Sequence, residues 1–87
     1  MANKTLPYVE DLIIDIKDKQ LIIISKKNSR AIRLASITGI SATFDSYNSS
    51  VYINVCGNDI GIATGGNKQC GELVRKLDTM LQEEDIL

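Results

Sequence analysis

Gly61 and Gly66, five positions apart, with Lys68 just beyond them, are the nearest approach to a phosphate-binding motif in the stretch "IGIATGGNKQCGELVRKL". A Walker-type loop cradles phosphates on backbone amides, reaches them with a lysine directly after the second glycine, and holds magnesium through the next hydroxyl. Here Asn67 occupies the lysine position and Gln69 follows Lys68, so the charge is displaced and the hydroxyl is missing. The sequence also stops one helix later, where a nucleotide-hydrolysing fold needs a parallel sheet with further strands. A milder chemistry survives: the amides of Gly65, Gly66 and Asn67 at a helix start, with Lys68 beside them, suit an anion or a carboxylate. The competing reading is architectural. Gly65 and Gly66 then reverse the chain between strand and helix, and the Asn67 side chain caps the helix.

Other catalytic chemistry is thinly supplied. The chain of 87 residues contains no histidine, the commonest general base near neutral pH and the commonest metal ligand. Its two cysteines, Cys56 and Cys70, cannot close a four-ligand zinc site by themselves. Glu10 and Asp11 are neighbours in sequence, so on a strand they point to opposite faces and form no dyad. Ser25 and Ser41 lack a base at any recognised spacing. No enzyme, cofactor or metal site is expected.

Charge and hydropathy narrow the partners. Ten Lys+Arg against eleven Asp+Glu give a net charge of −1, which offers nucleic acid no general attraction. Lys17 and Lys19 lie in one turn and Lys26, Lys27 and Arg30 in another, so hairpin geometry places them in separate patches. The longest apolar runs are far shorter than the ~20 residues that span a bilayer, and membrane insertion is not expected. No apolar leader precedes Pro7 and no CxxC pair occurs, which predicts a reduced, cytoplasmic setting with both thiols as small buried apolar groups.

Periodicity supplies the elements that must position any site. Residues 1–9 read as a frayed lead-in. "DLIIDIKDKQLIIIS" reads as a hairpin with Leu12, Ile14, Leu21 and Ile23 on one face and Ile13, Ile22 and Ile24 on the other, or with the second strand's two sets exchanged by the cross-strand register. "AIRLASITGISATF" alternates, breaks near Ala35 and Ser36, and resumes, giving two short strands or one bent strand with a bulge or close approach at Gly39. "VYINVCGNDIGIAT" is a second hairpin, with Val51, Ile53 and Val55 sharing a face. From Asn67 the period becomes helical, with Cys70, Leu73, Val74, Leu77 and Leu81 on one stripe. The fold class is therefore α+β: one domain, with a curled antiparallel sheet of five to six short strands within residues 10–64, a C-terminal amphipathic helix over 67–83, and a tail over 84–87 that frays because Glu83 and Glu84 oppose the helix dipole, leaving Ile86 and Leu87 as an apolar tip that is either a disordered end or docks on the sheet or a neighbouring subunit.

The order "LIIIS", "AIRLASITGIS", "VYINVCGNDIGIAT", "CGELVRKLDTML" resembles that of small bacterial pleckstrin-homology-like domains. The resemblance implies a strongly bent sheet whose end is closed by the helix, and a binding platform for lipid head groups, peptides or proteins without catalysis. The first turn, "KDKQ", lacks the dense basic cluster of the phosphoinositide-binding members, which turns the expectation toward proteins.

The function expected on these grounds is a non-catalytic protein-interaction domain, an adaptor, regulator or inhibitor that forms a homodimer. Its contact surface is expected at a sheet face or edge and at the hairpin loop from Phe44 to Tyr52. Tyr47 and Tyr52 are read as interface anchors, with an ordinary turn residue the other reading of Tyr47. Gly61 and Ala63 are small enough to open the sheet face to a close partner. Two alternatives stand beside this: a small regulator holding an anion or nucleotide at Gly65, Gly66, Asn67 and Lys68, and a phage or mobile-element accessory protein that occludes another protein.

Overall fold

The computed structural model describes residues 6–26, 29–45 and 48–86. Six strands and a helix follow in order: β1 (Ile13–Lys17), β2 (Gln20–Ile24), β3 (Ser29–Arg33), β4 (Ile37–Phe44), β5 (Asn48–Val55), β6 (Asn58–Gly66) and α1 (Asn67–Glu83). The class is α+β, as the periodicity predicts. The strands, however, form two three-stranded antiparallel sheets, β1-β2-β3 and β4-β5-β6, in place of one curled sheet.

The division falls where the alternation breaks. Leu34–Ser36 make a single 3-10 turn between β3 and β4. Leu34 is buried there, and its amide donates to the Lys19 carbonyl at 3.1 Å, which ties this corner to the β1–β2 turn. That turn consists of Asp18 and Lys19 alone, at φ +53° and +61° between the paired residues Lys17 and Gln20. Positive φ at both central positions is the twist that lets a two-residue loop join right-twisted strands. Cys56 and Gly57, at φ +50° and +88°, make the same kind of turn between Val55 and Asn58. Cys56 is therefore exposed at a loop tip, correcting the expectation that both thiols are buried; Cys70 alone is buried.

Register decides which face is core. Ile14 pairs with Ile23 and Ile16 with Leu21, while Ile13 pairs with Ile24 on the opposite face. Ile14, Leu21, Ile23 and Ile32 turn inward and meet Val51, Ile53, Ile62 and the helix residues Cys70, Leu73, Leu77 and Leu81 in one cluster. The helix rests on β4, β5 and β6. Complete burial of Leu77 and Leu81 contributes about 1.5–3 kcal/mol each. On the outer face of the first sheet, Ile13 remains 62% exposed and Ile24 40%.

Among the described residues, 6–9 depart from the frayed lead-in expected for them, and Ile86 takes the docked reading of the tail; residues 1–5 lie outside the described residues. Leu6 to Val9 lie along β6: the Thr64 amide donates to the Pro7 carbonyl at 2.9 Å, and Tyr8 bridges Thr64 in parallel fashion. At the other end Asp85 takes φ +59°, its amide donates to Gln82, and the Ile86 amide donates to Leu81. These two bonds form a Schellman motif that satisfies the last helical carbonyls and folds Ile86 back onto the core. Leu87 lies outside the described residues.

Candidate functional site

The residues singled out in the sequence divide among three places. Phe44 ends β4, 59% exposed, on the face that carries Ile40 and Ala42, because these three pair with the inward residues Ser49, Ile53 and Val51. Tyr52 lies in the middle of β5, not in the hairpin loop. It is half-buried on the outer face, with Ser41 opposite on β4 and Gly61 opposite on β6. Tyr47 falls outside the described residues.

Gly61 and Ala63 do not open the sheet to a partner. Ala63 is fully buried, a core position facing Val51. Gly61 is already occupied: a Cβ there would lie 3.1 Å from Leu6 Cδ2 and 3.5 Å from Tyr52 Cε1. The close partner that Gly61 admits is the chain's own lead-in.

Gly65 and Gly66 likewise change meaning. They are the last residues of β6, paired with Ser49 and Asn48, and the helix begins without an intervening turn. Among the described residues Gly57 is the glycine at positive φ, so chain reversal is not what Gly65 and Gly66 provide. They provide space. A Cβ at Gly65 would lie 2.8 Å from Val9 Cγ1, and one at Gly66 would collide with Gln69 Oε1.

Asn67 is the first helical residue, not the cap. Gly66 is the cap and has no side chain to offer. The Asn67 amide instead reaches across to the β4–β5 hairpin, where Oδ1 accepts from the Ser49 hydroxyl and Nδ2 donates to the Asp45 carbonyl at 3.0 Å. Ser49 is 2% exposed, and its carbonyl accepts from the Thr64 hydroxyl at 2.8 Å and the Cys70 thiol at 3.5 Å. Helix start and hairpin end are thus held by one polar node, in which the exposed Asn67 reaches in to the buried Ser49. Among the described residues no buried side-chain nitrogen or oxygen lacks a partner. Burial raises the Cys70 thiol pKa above its ordinary 9.0, which keeps it protonated and donating. The Asn67 side chain is thus engaged with Ser49 and Asp45, and Gln69 Oε1 lies over Gly66, so two of the protein's own side chains border the expected anion cradle.

Two features escape the sequence reading. A groove of about 260 Å³ runs between α1 and the segment leading into β1, with Val9, Leu12, Ile14 and Leu73 as floor and Glu10, Glu72 and Lys76 along its rim. The other is the contrast among the four sheet edges. β1 carries Asp15 and Lys17, β3 carries Arg30 and Arg33, and β6 is covered in part by Pro7 and Tyr8. Among the described residues β4 pairs only with β5, and it carries no charge or proline. The signal was present in the sequence, since no charged residue occurs from Leu34 to Phe44.

Among the described residues no three acidic or cysteine side chains gather as metal ligands would, and no helix is long and apolar enough to cross a membrane. Compared with known proteins, the chain matches no family model, no curated protein and no solved structure.

Proposed function

We propose that this chain is a non-catalytic protein-interaction domain that binds through the β4 edge of its second sheet, and that a second copy of itself is among its partners. The observation that carries this reading is β4 itself: an uncharged edge strand of eight residues, paired on one side only among the described residues and ending in a phenylalanine that is 59% exposed. An edge strand presents a row of backbone donors and acceptors, and proteins usually guard such a row with charge, proline or a covering segment. β4 has only the bulge near Gly39, at its far end. Strand addition at such an edge takes its affinity from main-chain hydrogen bonds and its specificity from alternate side chains. The resemblance to pleckstrin-homology-like binding platforms points the same way, and the absence of histidine leaves an acid–base mechanism without its usual residue.

Light scattering across a concentration series tests the reading. A mass that rises toward twice the monomer, and falls back for Phe44→Ser, is the expected result. A monomer at every concentration, with Phe44→Ser indistinguishable from the parent, would sink self-association through this edge.

A further inference from the structure

Resting on that reading, we infer that two copies join by antiparallel pairing of β4 with β4 of the partner, in one register, to make a continuous six-stranded sheet with Ala42 on the two-fold axis.

The inference begins by elimination. Pairing β1 with its own copy about its centre sets Asp15 against Asp15, and β3 brings Arg30 and Arg33 of both chains to one seam. Like charges directly opposite one another destabilise a ladder. Along β6 the lead-in already supplies the acceptor for Thr64. β4 has none of these obstacles.

Symmetry then fixes the choice of register. A two-fold axis normal to the sheet keeps the two helix-bearing faces on the same side, so paired residues must both point to that face or both away from it. A one-residue slip would put the helix side of one copy beside the outer side of the other. Among the permitted registers, the one centred on Ala42 sets Ile40 opposite the partner's Phe44 and Phe44 opposite the partner's Ile40, both on the helix side. On the outer side it sets Ser41 opposite the partner's Thr43 and Thr43 opposite the partner's Ser41. Aromatic–β-branched and hydroxyl–hydroxyl pairs are the cross-strand combinations that stabilise sheets. Ile40 and Ala42 are only half-buried, and Phe44 is largely exposed, on a face whose next row is fully buried core. Pairing in this register covers all three at once. The bulge between Ile37 and Gly39 ends the ladder at one side and the β4–β5 turn ends it at the other.

Two sets of variants test the register, each built on Cys56→Ser so that the exposed turn thiol is absent. Ala42→Cys places a thiol on the axis and is expected to give a disulfide-linked dimer under mild oxidation, while the buried Cys70 stays unreacted. Ser41→Lys/Thr43→Lys sets lysine opposite lysine twice and is expected to weaken the dimer about tenfold or more, whereas Ser41→Lys/Thr43→Glu sets opposite charges together and leaves it intact. Sedimentation equilibrium reads both, and circular dichroism checks that each variant is folded. If the parent is a dimer but Ala42→Cys does not cross-link and the two charge variants behave alike, this register is overturned while self-association stands. If the parent is a monomer, both fall together.

Discussion

The two sheets have the same plan and opposite exposures. Each is a three-stranded antiparallel meander with, among the described residues, one two-residue turn at positive φ, and each gives its inner face to the shared core. The first sheet protects its edges with charge and leaves apolar residues, Ile13 and Ile24, on an outer face that no helix covers. The second reverses this. Its outer face is mostly polar or glycine, with Ser41, Thr43, Asn54 and Asp59 around Tyr52, and its open edge is uncharged. The difference teaches where association is guarded against. An exposed isoleucine pair on a sheet face costs little by itself, because folded proteins always show some apolar surface. An uncharged edge is different, since its backbone is a template for another strand.

The largest test of the comparison asks whether the two sheets are one cooperative unit. Leu21 is the fully buried centre of the first and Ile53 that of the second. Leu21→Ala and Ile53→Ala should each destabilise by about 2–5 kcal/mol in urea unfolding, with a single transition followed by fluorescence and circular dichroism alike. Two separable transitions would break the picture of one core beneath two sheets.

A smaller effect sharpens the role of the lead-in, which belongs to the second sheet alone. Gly65→Ala forces Val9 aside and should cost about 1–3 kcal/mol, and adding Val9→Ala should recover much of that loss. Gly61→Ala meets the flexible tip of Leu6 at 3.1 Å and Tyr52 Cε1 at an ordinary 3.5 Å, and should cost distinctly less. Equal costs at the two glycines would show that Leu6 is held as firmly as Val9.

The smallest effects separate the two thiols, Cys56 at the β5–β6 turn and Cys70 on α1. Cys56 at the turn should react with a thiol reagent in the native state, and Cys70 only as the protein opens. Because burial raises the Cys70 pKa, the folded state keeps a proton that the unfolded chain releases above about pH 9. Its contribution to stability is complete below that pH and declines as pH rises toward the folded value. Cys70→Ala should flatten this part of the pH profile in thermal melts. Cys56→Asn, which suits positive φ better, should raise stability by a few tenths of a kcal/mol.

Much was legible without the fold. The helix from Asn67 to Glu83 follows from the 3.6-residue recurrence of Cys70, Leu73, Leu77 and Leu81, and both hairpins follow from alternation bounded by turn residues. The break at Ala35 and Ser36 marked the boundary between sheets, although alternation alone does not say whether a strand bends or changes sheets. The site was less legible. Asn67 had the spacing of a cap, yet its partners Ser49 and Asp45 lie about twenty residues away along the chain. The Gly61–Leu6 and Gly65–Val9 contacts are equally non-local.

The sequence by itself determined the element types, the inward stripe of the helix and the absence of histidine, because these depend on periodicity and composition. Only the tertiary structure decided what the glycines are for, which edge is open and how residues 6–9 and 84–86 are held. Those are properties of surfaces brought together from distant parts of the chain, and local spacing carries no record of the side chain that will arrive opposite.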